Sequence, residues 1–163
     1  MKIAIYPGTF DPITNGHIDV LNKASIVFDK IYLAVADHTG KQSMFSLNER
    51  VNLCKLSLKD HEKIIVTKFK GLSVDFAMKV GATVMIRGLR AVSDFEYELS
   101  LALMNKNLCD ELETMFFVPN SKYLYLSSTM IRQVVSLGGK VLDYIPKCVE
   151  TAIKKKLKGV ENE

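Results

Sequence analysis

Between Tyr6 and His17 the chain reads Tyr-Pro-Gly-Thr-Phe-Asp-Pro-Ile-Thr-Asn-Gly-His, a run of turn formers and hydroxyls that ends on an imidazole. Gly8 and Gly16 let the backbone approach a ligand closely. A helix starting near His17 would present unpaired N–H groups and the positive end of its dipole, an arrangement suited to phosphate. His17, in the first turn, would then be placed to donate a hydrogen bond to a phosphate oxygen. A histidine at a helix start also serves as a cap or lies on the surface, so His17 alone decides nothing. The string is not a Walker A loop, because no Gly-Lys-Ser/Thr follows.

Further residues suit the same chemistry. Ile86-Arg87-Gly88-Leu89-Arg90 places two arginines around a glycine, with Asp94, Glu96 and Glu98 beyond them. Guanidinium forks suit phosphate; structural salt bridges to Asp94 and Glu96 are the alternative. Tyr123-Leu124-Tyr125-Leu126-Ser127-Ser128-Thr129 leads into another helical segment. Three hydroxyls at a helix start are ordinary caps, but beside two other such groups they also suit a second phosphate cradle. Lys41 is either an extra cation or a solvated loop lysine.

The elements that must position these residues are legible as alternating runs. Lys2–Tyr6, Lys30–Ala36, Lys63–Phe69, Thr83–Gly88 and Thr114–Pro119 are short, apolar and often β-branched, as in buried parallel strands. Helical segments lie between them. Ser46-Leu47-Asn48-Glu49 and Ser93-Asp94-Phe95-Glu96 both fit a capping box. Phe95, Leu99, Ala102 and Leu103 repeat at helical spacing through Leu108. Two further helices are expected around Ser128–Leu137 and Pro146–Leu157, with Gly138-Gly139 as a break. The expected fold is α/β, a Rossmann-like doubly wound five-stranded parallel sheet with C-terminal helices. Ligands of such sheets bind beyond the carboxyl ends of the strands, where the groups above fall.

The chain has 163 residues, which fits a single domain over 1–158, with 159–163 expected to fray. No apolar run approaches the roughly 20 residues of a membrane span, and the N-terminal apolar run is too short for a signal peptide. A cytoplasmic location is therefore expected. Cys54, Cys109 and Cys148 show no C-x-x-C pairing and are expected to be reduced, buried thiols. The net charge of +4 is mild. Lys154, Lys155, Lys156 and Lys158 are expected to form a solvated helix face, so neither nucleic acid nor membrane is an expected partner.

Gly8-Thr9-Phe10-Asp11-Pro12 with Thr14-Asn15-Gly16-His17, and Ser127-Ser128-Thr129 with Arg132, resemble two signatures of the nucleotidyltransferase superfamily: a T/H-x-G-H motif and an I-S-S/T-T motif. The block from Ile86 to Glu98 closely resembles the phosphopantetheine adenylyltransferases, and the match runs from residue 2 to about residue 157. The resemblance implies transfer of AMP from ATP to 4′-phosphopantetheine by in-line attack, with no covalent intermediate and no general base. It implies that Thr9, Phe10 and His17 hold ATP phosphates, His17 stabilising the transition state. Gly88, Leu89, Arg90 and Glu98 would contact ATP, and Tyr123, Leu124, Tyr125, Leu126, Ser127, Ser128 and Thr129 would wrap it. Thr9, Lys41, Ser73 and Arg87 would hold the acceptor, Lys41 and Arg87 at its phosphate. Ser73 falls where the family varies, and Gln133 stands where some relatives carry glutamate. The resemblance further implies Mg2+ held largely by ATP, and a homohexamer. The alternatives are nicotinate-mononucleotide adenylyltransferase-like or glycerol-phosphate cytidylyltransferase-like activity, or a nucleotide-sensing module without chemistry.

Overall fold

The computed structural model describes residues 1–37, 43–90 and 92–160. Strands and helices alternate: β1 Ile3–Gly8, α1 Asn15–Val27, β2 Lys30–Ala36, α2 Leu47–Ser57, β3 Ile64–Phe69, α3 Ser73–Lys79, β4 Val84–Gly88, α4 Val92–Leu108 and β5 Glu113–Phe117. Two further helices follow, α5 Ser128–Ser136 and α6 Lys147–Val160. The strands form one parallel sheet in the order β3-β2-β1-β4-β5. The chain therefore reverses its direction of winding between β1 and β4, and a crevice opens where the two connections part.

Strand alternation divides the core between the two faces. Ala4 and Tyr6 of β1, Ile31, Leu33 and Val35 of β2 and Ile86 of β4 face α1, α2, α5 and α6. Ile5, Met85, Ala82 and Leu112 pack with Val74 and Ala77 of α3 on the other face. The three central strands are nearly continuous in burial, as expected of a covered parallel sheet. The edge strands β3 and β5 depart from that expectation: Ile65 is 37% exposed and Met115 38%. An edge strand has a neighbour on one side only, and the helices cover it less.

The Ser46 capping box forms as expected, with Glu49 accepting from the Ser46 N–H. Helix α4 begins at Val92, one residue before the serine of the second expected box, Ser93. The apolar repeat of α4 is not a core stripe, since Phe95, Leu99 and Leu103 are 43%, 39% and 59% exposed. Helix α6 continues to Val160, past the expected fraying point at 159. Cys54 is buried as expected, whereas Cys109 and Cys148 are only half-buried; all three are free thiols.

Candidate active site

At the C-terminal ends of β1 and β4 lies a cavity of about 250 Å3. The β1 end supplies Tyr6, Gly8, Thr9 and Phe10, and helix α1 supplies His17. From the β4 end come Arg87, Gly88, Arg90 and Glu98, and from the approach to α5 come Tyr123, Leu126, Ser127, Ser128 and Thr129. These are most of the residues expected from sequence. Leu89, Leu124, Tyr125 and Ser73 do not line the cavity. Leu89 instead joins β4 to β5 through its N–H on the Phe117 carbonyl, and Tyr125 is 78% exposed. Ser73 opens α3, just beyond the carboxyl end of the edge strand β3. Lys41 lies outside the described residues.

His17 is held as part of a capping box. Thr14 is the N-cap of α1, and its hydroxyl accepts from the His17 N–H at 3.4 Å. The Thr14 N–H donates to His17 Nδ1 at 3.0 Å, the role that a glutamate or glutamine normally takes. A backbone N–H can only donate, so Nδ1 carries a lone pair and the ring proton sits on Nε2. Burial, with help from the Arg90 charge, lowers the His17 pKa from 6.5 to about 4. The imidazole is thus a neutral Nε2–H donor at physiological pH.

A consequence for stability follows. Because the folded pKa is depressed, the native chain binds fewer protons than the unfolded chain between about pH 4 and 6.5. Stability contributed by neutral His17 is present above that window and is lost as pH falls through it, by at most about 3 kcal/mol. The melting temperature is expected to fall across that range, and to fall less in His17→Gln, which does not titrate there; parallel curves would contradict this.

The cations are held by acids. Arg87 Nε and Nη2 donate to the two Glu98 oxygens at 2.6 and 2.7 Å. Burial opposes the Arg87 charge, but the Glu98 hydrogen bonds and charge outweigh it and raise the pKa above the ordinary guanidinium value. Arg90 pairs with Asp94 at 3.2 Å and donates to the Leu126 carbonyl at 2.9 Å. The salt-bridge alternative is therefore met by Asp94 and Glu98 rather than by Asp94 and Glu96. Tyr6 packs beneath them, its hydroxyl pushed up to about 12 by burial against the lowering pull of Arg87 and Arg90.

At the start of α5, Ser127 Oγ accepts from the Met130 N–H, the ordinary cap. Ser128 Oγ donates to the Pro12 carbonyl at 2.7 Å, which ties the two signature segments together. Arg132 donates to Thr129 Oγ1 at 3.2 Å, which leaves the Thr129 O–H free to donate. Sequence reading missed two supports, Asp11 and Arg50, each 2% exposed. Asp11 accepts from the N–H groups of Met44 and Phe45, and Arg50 donates to the carbonyls of Thr9, Ala36 and Phe45. Asp11, between Phe10 and Pro12, gave the signal of a charged residue among apolar neighbours; Arg50, between Glu49 and Val51, gave none.

A cavity with a neutral N–H donor, two guanidiniums and a helix N-terminus can bind several phosphates and stabilise charge developing between them. Comparison with known proteins agrees. Residues 5–134 match the cytidylyltransferase-like family. Over 156 residues the chain is 49% identical to the phosphopantetheine adenylyltransferase of Alkaliphilus metalliredigens, covering 96% of this chain and 99% of the relative. The chain belongs to the phosphopantetheine adenylyltransferase family. Other members include the Lawsonia intracellularis enzyme, 48% identical over 96% of this chain and 91% of that one. The Clostridium perfringens enzyme is 42% identical over 100% of this chain and 99% of its own. A solved structure described as a nicotinate-nucleotide adenylyltransferase, from Vibrio parahaemolyticus, superposes with a TM-score of 0.72 at 19% identity, covering 94% of this chain and 99% of that chain. At that identity it speaks for the shared parallel-sheet fold alone.

Proposed function

We propose that the chain transfers an adenylyl group from ATP to 4′-phosphopantetheine, giving dephospho-coenzyme A and pyrophosphate in coenzyme A biosynthesis. The observation that carries this reading is the junction of His17, Arg87 and the α5 N-terminus in one cavity of a chain 49% identical to a named family member. An acceptor phosphate oxygen attacks the α-phosphorus, a new P–O bond forms, and the bond to the bridging oxygen breaks. Pyrophosphate leaves with the electron pair. A phosphate monoester is already an anion at neutral pH, so no base is required. Catalysis then rests on positioning and on donors to the nonbridging oxygens. His17 Nε2–H supplies such a donor, Arg87 serves the acceptor phosphate, and Arg90 with the α5 N-terminus serves the triphosphate.

Magnesium is proposed to enter with ATP. Among the described residues no three His, Cys, Asp or Glu side chains converge on a metal position, and the one carboxylate lining the cavity, Glu98, is held by Arg87. A cation bound chiefly by the phosphate oxygens of ATP needs no such cage from the protein. A cytoplasmic location is proposed because both substrates are soluble phosphorylated metabolites; among the described residues no helix is long and apolar enough to cross a membrane.

A homohexamer is proposed, supported in part by the uncovered face of α4. Phe95, Leu99 and Leu103 share one side of that helix and are 43%, 39% and 59% exposed. Apolar patches of this kind mark interaction surfaces. Leu103→Asp is expected to lower the mass measured by light scattering; an unchanged mass would place the interface elsewhere.

Pyrophosphate release with ATP or CTP against each candidate acceptor tests the reaction. Turnover is expected with ATP and 4′-phosphopantetheine. ATP binding without turnover on any acceptor would favour a nucleotide-sensing module, and turnover confined to nicotinate mononucleotide or glycerol phosphate would favour a sister enzyme.

A further inference from the structure

Phe10 is the only residue other than glycine with positive φ among the described residues, at 49°. A bulky side chain occupies this left-handed region only where its surroundings determine it. The Phe10 ring is 3% exposed and meets His17 edge-on at 5.0 Å and Tyr6 at 5.4 Å. A Cβ on Gly8 would come within 3.0 Å of that ring, so the ring sits where only glycine leaves room. Both neighbours of Phe10 are pinned. On one side, Arg50 Nη1 donates to the Thr9 carbonyl at 2.7 Å. On the other, Asp11 accepts from Met44 N–H at 2.8 Å and Phe45 N–H at 2.9 Å, while Arg132 donates to the Asp11 carbonyl and lies 3.6 Å from its carboxylate. Asp11 itself does not line the cavity.

We propose that Asp11 is a positioning residue for adenylyl transfer: with Arg50 it fixes the backbone of Phe10, and the Phe10 ring fixes the plane of the His17 imidazole. Helix capping sets where Nδ1 lies and leaves rotation about it to be limited by packing. The ring of Phe10 supplies that packing on the side facing the β1 loop. The carboxylate matters because two backbone N–H groups point at it. Asparagine offers one acceptor oxygen and turns an N–H2 group on the other donor.

The inference rests on the reaction proposed above, so wild-type turnover is the control in every assay. Absence of wild-type turnover would count against the reaction; wild-type turnover with an unaffected variant would count against Asp11 alone. Asp11→Asn is expected to keep a cooperative melt and to lower kcat by about tenfold to a hundredfold, the scale for a catalytic group displaced by an ångström. KM for both substrates is expected to stay within about threefold, since the phosphate-holding arginines are untouched. The His17 titration followed by NMR is expected to move up as ring packing loosens. The imidazole meets Tyr6 from β1 and Thr14 from its own cap and feels the charge of Arg90, and it shares its cavity with Arg87 and Glu98.

Phe10→Gly closes the argument, because glycine takes the left-handed backbone freely and carries no ring. In a Phe10→Gly background, Asp11→Asn is expected to change kcat by less than about twofold. Multiplicative effects of the two substitutions, or a kcat near wild type in Asp11→Asn, would overturn the proposal. Should Asp11→Asn fail to fold, Asp11→Glu keeps both acceptor oxygens while displacing them, and the same readings apply. Failure of both variants to fold would make Asp11 a residue of stability and equally overturn the assignment.

Discussion

His17→Ala is expected to lower kcat by roughly a hundredfold or more, the scale of a lost donor to a developing oxyanion. The same substitution removes the acceptor for the Thr14 N–H, a loss of about 1 kcal/mol in stability. Two further substitutions separate the chemistry from the cap. Glutamine is an ordinary partner at this position of a capping box, so His17→Gln is expected to keep the Thr14 contact and present an amide N–H to the cavity. It should fold like wild type and recover part of the lost turnover. His17→Glu should satisfy the cap equally well, yet it places a carboxylate where phosphates must bind. That variant is expected to fold and to be at least as impaired as alanine. Steady-state kinetics with thermal melts on the three proteins checks the ordering. Near-wild-type turnover in a folded His17→Ala protein would remove the assigned role, and equal loss in glutamine and glutamate variants would mean that shape matters there and donation does not.

The capping box at Thr14 shows where sequence reading reached and where it stopped. Thr14-Asn15-Gly16-His17 has the spacing of a box, hydroxyl followed three residues later by an acceptor, with histidine in place of glutamate. The helix start and the phosphate chemistry were readable from it; the tautomer was not, because it depends on which ring nitrogen meets the Thr14 N–H. The strands were legible because buried parallel strands are short apolar runs, and Lys30–Ala36 has the expected bounds. The apolar repeat of α4 was legible as a helix but not as an exposed face, since periodicity shows that a stripe exists and not what covers it. Asp11 and Arg50 escaped for a different reason. Their partners are backbone groups of Thr9, Ala36, Met44 and Phe45, brought together only when β1 and β2 pair. Glu98 and Arg87 were both placed in the site, but their pairing was not, because it spans a separation of 11 residues that no local spacing rule describes.

That pairing governs the second large effect. Arg87→Ala is expected to raise KM for 4′-phosphopantetheine by about a hundredfold, with KM for ATP changed by less than about threefold. Arg87 spends its Nε and one Nη2 hydrogen on Glu98 and reaches the Pro7 carbonyl from Nη1 at 3.5 Å, so the remaining Nη1 and Nη2 hydrogens form the edge able to take a phosphate. Alanine removes that edge and also leaves the Glu98 carboxylate, 12% exposed, without its cation. An unpaired carboxylate then faces an incoming dianion, so part of the loss is repulsion rather than a missing contact. Removing Glu98 as well should relieve that part. The Arg87→Ala/Glu98→Ala protein is expected to bind the acceptor more tightly than Arg87→Ala, though still more weakly than wild type. Arg87→Lys should fall short of wild type, because an ammonium cannot bridge Glu98 and a phosphate along two parallel edges. Isothermal titration with the acceptor, alongside initial rates, reads each term. An unchanged acceptor KM in Arg87→Ala would take the acceptor phosphate away from this arginine, and a shift confined to ATP would assign the Arg87–Glu98 pair to the nucleotide instead.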